Sequence, residues 1–276
     1  LYKDPSPCMY LYSQKYKLLT DTKERKGIIT LLRIEEFEHG NIFPHEKTSF
    51  SPKVDRLRLL EATNANFCQP FLLYFDKKNN IIDQIQSETK HIDPIYHFED
   101  KDKIIHTLWR ISNEATLIDI SHEFSDKNLL IADGHHRYET AIAFKKEKMI
   151  EYIDSTRKAF EYIPVYICNA YDQGDTILPT HRLIKGLPEI DINKIKEALH
   201  PHFELIPCEM IDSSFIQDKL NKLKKQREYV YCLVNKQKAW FIAKTSNIPM
   251  KQLLKDIPEI LTRLDVVILH ELSLIH

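Results

Sequence analysis

The sequence predicts an α+β fold: a mixed sheet core with flanking helices, followed by a smaller C-terminal α+β module. Three observations carry that expectation. Apolar runs of strand length are interspersed with stretches of helical periodicity. The run Leu129 to Ala132 passes through Asp133-Gly134 into the helical spacing of Ala141, Ile142, Ala143 and Phe144, which marks a strand-to-helix corner. After Gly186 the texture changes, placing a boundary near residue 188 between a core domain, 1–187, and a C-terminal segment, 188–276.

Taken in order, Tyr10 to Tyr12 and Lys26 to Glu35 read as strands, the second with an apolar centre and polar ends. A loop through Pro44 leads to a helix over Ser51 to Asn64, with Ser51 as N-cap, Pro52 in the first turn, and Val54, Leu57, Leu60 and Glu61 on one buried face. Phe71 to Phe75 is a short buried strand before the turn Asp76 to Asn80. His106 to Asn113 reads as a weak helix, Ile118 to Phe124 as a helix turn or short strand, and Phe160 to Ala170 as a core strand. The last segment reads as a helix over Asp191 to Leu199, a strand over Phe203 to Ile206, a helix over Ser213 to Lys225 and a hairpin of Tyr229 to Val234 with Ala239 to Lys244. The chain opens at Leu1 and closes at His276 within a stretch read as a helix from near Leu261, so a fragment of a longer chain is expected.

Bulk properties narrow the function. A net charge of −1 argues against a duplex-binding protein, which draws much of its affinity from neutralised phosphates. The compact basic group Lys222, Lys224, Lys225 and Arg227 is explained by a solvated helix face. Cys8, Cys68, Cys168, Cys208 and Cys232 are odd in number and widely spaced, which fits reduced, buried thiols in a cytoplasmic protein better than a disulfide framework or a zinc ribbon. No apolar stretch is long enough to span a membrane. The expected partner is a small-molecule substrate, with no reading of oligomeric state.

The chemistry concentrates at the corner. A strand ending at Asp133-Gly134 and feeding a helix aims backbone N–H groups and a positive helix terminus at one point, which favours an anion and most simply a phosphate. Gly134 is one of only five glycines, so the backbone is expected to need it, for positive φ or for close approach. Arg137 can add a bidentate contact, His136 a donor of variable charge and Thr140 a hydroxyl. Asp133 and Glu139 would repel a bare phosphate, so they are expected to hold a divalent metal, orient Arg137 or act as a base. An internal ion-pair network with His135 and Tyr138 simply packed is the competing reading. Zinc is disfavoured, because adjacent His135 and His136 lack the spacing of a zincin helix. Two further clusters bring histidine beside a hydroxyl or a cation at a strand end: His45-Glu46-Lys47-Thr48 and Thr180-His181-Arg182. Asp55-Arg56 could back up the first of them. Gly-x-x-x-x-Gly-Lys-Ser/Thr, Gly-x-Gly-x-x-Gly and Gly-x-Ser-x-Gly are all missing, which excludes the usual P-loop, nicotinamide and serine-hydrolase types.

The block Ile131 to Ala141, together with Phe43 to Thr48, Asp55-Arg56 and Leu178 to Arg182, resembles a widespread bacterial and archaeal family labelled domain of unknown function 1015. That family typically begins with a further segment and continues beyond the position of His276. More remotely, Gly134-His135-His136-Arg137 with Ala141 resembles the Gly-x-x-Arg phosphate-binding turn of the ParB and sulfiredoxin-like fold, which includes free-serine kinases. The resemblance implies a ParB/sulfiredoxin-like sheet and a nucleotide or pyrophosphate at the motif. On it, Gly134, His136, Arg137 and Thr140 would bind phosphate, and the polar clusters add His135, His45, Lys47, Thr48, His181 and Arg182 to the expected phosphate or nucleotide contacts. Glu46, Asp133, His136 and Glu139 become the candidate catalytic groups, with Mg²⁺ bridging donor oxygens. The expected activity is phosphotransfer from ATP, ADP or pyrophosphate to a small hydroxylated metabolite, free L-serine first among the acceptors. A ParB-like nucleotide-binding regulatory module without turnover and a metal-dependent hydrolase using His135, His136 and Asp133 are the alternatives. No second ParB-type nucleotide motif and no sulfiredoxin-type cysteine beside Gly134 is seen.

Overall fold

Alternating apolar and polar residues make the first two strands a long antiparallel pair, β1 (Met9–Leu18) and β2 (Asp21–Arg33), in which Leu11 faces Ile28. The computed structural model describes residues 3–18, 21–38, 40–44, 50–151, 159–176, 181–186, 191–245, 249–255, 265 and 267–269, with the side chains of 50–53 left aside. The chain divides into two compact units, Leu1–Ile177 and Leu178–His276.

The first unit is mixed α+β. After β3 (Ile42–Phe43) come α1 (Phe50–Thr63), β4 (Phe71–Tyr74), α2 (Asn80–Thr89), β5 (Tyr96–Glu99), β6 (Ile105–Ile111), α3 (Glu114–Ser125), β7 (Leu129–Asp133), α4 (His135–Glu151) and β8 (Tyr162–Asn169). The sheet order is β3-β7-β4-β8-β2-β1-β6-β5, with β3·β7 and β4·β8 parallel and the other pairs antiparallel. Period-two alternation sends Leu11, Ile28, Leu72, Tyr74, Ile131, Ile163, Val165 and Ile167 into one core, where Ile81, Ile82 and Ile85 of α2 and Tyr138 and Ala141 of α4 meet them. Fully burying an aliphatic or aromatic side chain stabilises by about 1.5–3 kcal/mol, so this layer dominates the unit.

Several local expectations need correction. Residues 105–111 form a strand and not a weak helix: β-branched and aromatic side chains dominate Ile105 to Ile111, and both edges are taken, by β1 and by β5. Ile118 to Phe124 belongs to α3, capped by the Asn113 side chain on the Thr116 N–H. Helix α1 starts at Phe50, so Ser51 lies inside it, and Glu61 is exposed while Leu60 is buried. Of the five cysteines only Cys168 is buried, and Cys68 is exposed.

The second unit contains α5 (Ile192–Leu199), β9 (Phe203–Cys208), α6 (Ser213–Lys224), β10 (Val230–Val234), β11 (Ala239–Lys244) and α7 (Met250–Leu253). The three strands form an antiparallel sheet in the order β10-β11-β9. Asp191 and Asp212 accept backbone N–H bonds as N-caps of α5 and α6, which fixes where these helices begin. The four-residue basic group on and after α6 is exposed, as a solvated face requires. Among the described residues no helix is long and apolar enough to cross a membrane.

Candidate anion site at the β7–α4 corner

Strand β7 ends at Asp133, and the chain turns through Gly134 at φ +92° into the 17-residue α4. The Tyr138 N–H closes the first helical bond on the Gly134 carbonyl at 3.0 Å, making the glycine the N-cap. The opening amides of α4 therefore have no acceptor within the helix, and they carry the positive end of its dipole.

The glycine is dictated from both sides. A Cβ there would lie 3.0 Å from the Pro70 Cα and 3.1 Å from the Arg137 Cζ and Nε, in a backbone conformation that L side chains rarely adopt. The close approach is thus made by the Gln69-Pro70 segment and by the motif's own arginine. Arg137 Nη1 donates to the Gln69 carbonyl at 2.6 Å, and Nη2 donates to Asp133 Oδ2 at 2.6 Å. The guanidinium is 28% exposed and the Asp133 carboxylate 71%, so the pair lies at the mouth of the corner. Of the roles open to Asp133, orienting Arg137 is the one realised here. An exposed pair of this kind contributes about 0.3–0.5 kcal/mol, weak enough for an incoming anion to displace the carboxylate.

The next turn of α4 faces inward. Tyr138 is fully buried, its hydroxyl donating to the Glu35 carbonyl at 3.1 Å and accepting from the Glu35 N–H at 3.0 Å, with its ring stacked on Phe37. Burial pushes its phenol up to about 12. Thr140 is buried, its hydroxyl donating to the His136 carbonyl at 2.6 Å, and His135 is buried as well, so neither is presented at the exposed mouth. His136 is half-buried, and its Nε2 is sealed from solvent with no hydrogen-bond partner among the described residues. A buried polar atom left this way costs about 1–3 kcal/mol unless something meets it. Glu139 lines a recess of about 220 Å³ with Glu36, Phe37, Glu38 and Ile142.

Asp133, Gly134 and Arg137 are thus brought together. His45, Glu46, Lys47 and Thr48 lie outside the described residues, as does Thr180. His181 and Arg182 are exposed in the second unit, and Asp55 and Arg56 are exposed on α1. Sequence reasoning missed Gln69 and Pro70, which carry no motif and acquire their role through β4 pairing antiparallel with β7, Phe71 opposite Asp133. Among the described residues no group of three His, Cys, Asp or Glu is arranged to hold a metal ion.

Fold and corner define a class: a mixed α+β protein whose sheet presents a glycine-capped helix terminus with a clamped arginine. The chain belongs to the DUF1015 family, described as a protein of unknown function, whose family model matches residues 1–267. No curated protein and no solved structure gave a significant match.

Proposed function

We propose that the β7–α4 corner binds a phosphate-bearing ligand and that the chain is a phosphotransferase acting on a small hydroxylated metabolite. Free L-serine is the leading acceptor, and ATP, ADP or pyrophosphate the donor. One observation carries the reading: the left-handed Gly134 turn opens a long helix, and the Arg137 guanidinium is held across its mouth by Gln69 and Asp133. The Gly-x-x-Arg turn of the ParB and sulfiredoxin-like fold is the resemblance that extends this from anion binding to a nucleotide or pyrophosphate.

Opening amides and Arg137 would meet phosphate oxygens, while Pro70 shapes the turn from behind. Mg²⁺ would supply charge neutralisation of the donor oxygens. The described residues fit a magnesium held by one or two carboxylates plus the donor's own phosphates, with Asp133 freed once an anion takes its place on Arg137. Proton removal from the acceptor hydroxyl falls to Asp133 or to Glu46. The free thiols accord with a cytoplasmic setting.

Phosphorylation assays across amino acids and donors, with the full-length chain and Mg²⁺, test the reading. Turnover lost in Arg137→Ala is expected. Phosphate binding without turnover for any donor would remove the transferase claim and leave a binding module.

A further inference from the structure

A second polar constellation lies on the face of the sheet opposite the main core. Gly174 presses its backbone against β2, where a Cβ would meet the Glu24 carbonyl oxygen at 1.9 Å and the Arg25 Cα at 2.8 Å. Only glycine fits, and this contact delivers the next residue, Asp175, to Arg25. The Asp175 Oδ1 sits 3.7 Å from Arg25 Nε, an ion pair without a hydrogen bond.

Both Asp175 oxygens are buried without a hydrogen-bond partner among the described residues. The Tyr166 ring lies beside the same cation, with the Arg25 Cζ 6.0 Å from its centroid, while its hydroxyl faces the Cys168 thiol. Gln14 Oε1 accepts from Arg25 Nε and Nη2, and Nη1 makes no hydrogen bond among the described residues. Side-chain exposures of 31% for Arg25 and 18% for Asp175 put the rim of the cluster at the surface.

Unmet buried acceptors beside an unmet donor need a ligand of matching polarity. A bare cation would be repelled by Arg25, and a bare anion by Asp175. A zwitterion with its charges a few ångströms apart satisfies both. We propose that Arg25 and Asp175 bind the headgroup of a free amino acid, its carboxylate on Arg25 Nη1 and its ammonium on Asp175. Burial pushes the Asp175 carboxyl up to about 6, as expected for a carboxylate awaiting a counter-charge.

The site adjoins the anion corner. The Arg25 Cζ lies 5.4 Å from the Phe71 ring centroid, and Phe71 follows Pro70, the residue packed behind Gly134. That this headgroup belongs to the phosphoryl acceptor rests on the phosphotransferase reading, whereas headgroup binding itself does not.

Calorimetric titration of the full chain with a panel of common L-amino acids tests the site, followed by decarboxylated and deaminated analogues of any that binds. For L-serine these are ethanolamine and 3-hydroxypropionate. Each analogue is expected to bind about tenfold or more weakly than the parent, the scale of one charged hydrogen bond. Asp175→Asn should lose about tenfold in amino-acid affinity while keeping wild-type affinity for pyrophosphate. Arg25→Gln should give a comparable loss and serves if the first variant does not fold. An analogue binding as tightly as its parent, or no amino acid binding up to about 10 mM, overturns the proposal. Amino-acid binding without phosphorylation would sink the transferase reading alone. Phosphorylation of an acceptor that is not an amino acid, with no amino-acid binding, would sink this one alone.

Discussion

Replacing Asp175 with asparagine should make the first unit more stable at neutral pH and leave it nearly unchanged in acid. Burial raises the Asp175 carboxyl from 3.8 to about 6, outweighing the opposing pull of Arg25, with the Asp172 charge adding to the rise. Between those values the folded chain holds a proton that the unfolded chain has released. The group therefore costs nothing below about pH 3.8, and its cost grows to a full penalty above about pH 6. A gap of about two pH units, at about 1.36 kcal/mol each, sets that penalty at about 3 kcal/mol. Asparagine mimics the neutral form, so the stability difference between variant and wild type should widen by about 2.5 kcal/mol from pH 4 to pH 7. Urea unfolding read by Trp109 fluorescence, with Trp240→Phe in both chains to silence the second unit, measures it. Taking the difference cancels every other titrating group. A difference that stays flat across this range would refute the argument that Asp175 is buried without adequate partners.

Other expected outcomes follow from single contacts. Gly134→Ala should destabilise by about 1–3 kcal/mol, because alanine must hold a positive φ against Pro70, and urea unfolding reads the loss. Tyr138→Phe leaves both polar groups of the Glu35 backbone without their buried partner and should cost about 1–3 kcal/mol in the same assay. Asn169, buried at the end of β8, bonds the Asp76 N–H and carbonyl, the Asn79 side chain and the Tyr171 N–H. Asn169→Ala should cost about 2–4 kcal/mol and speed amide exchange in the 76–79 turn, measured by hydrogen exchange.

How much was legible in the sequence depended on the range of the forces involved. The β7–α4 corner was readable because its signals are local: an apolar run, a scarce glycine and a helical repeat within sixteen residues, 129–144. The elements of the second unit were readable for the same reason, with Asp191 in place as a cap. His106 to Asn113 reads as a helix because the short run has no period of its own, and Ile105–Ile111 becomes a strand only by pairing with β1 and β5. Helix α2 carried a usable pattern in Ile81, Ile82, Ile85 and Thr89 that was passed over for the turn before it. The Arg25–Asp175 pair had only the scarce Gly174 as a local signal, since Asp175 meets a strand well over a hundred residues earlier and an aspartate near a chain turn reads as surface. Gln69 and Pro70 were silent for the same cause. Inside the motif the sequence could not say which side chains face outward. Helical geometry decides that, turning His135, Tyr138 and Thr140 to the interior and leaving Arg137 at the mouth.

The most direct measurement is calorimetric binding of pyrophosphate to the wild-type chain and to Arg137→Ala. Arg137 Nη1 is fixed by Gln69 and Nη2 by the readily displaced Asp133, so its loss should remove a charged hydrogen bond of about 1.5–3 kcal/mol, about ten- to hundredfold in affinity. Unchanged affinity in the variant, or no pyrophosphate binding by the wild type, would contradict an anion site at the β7–α4 corner.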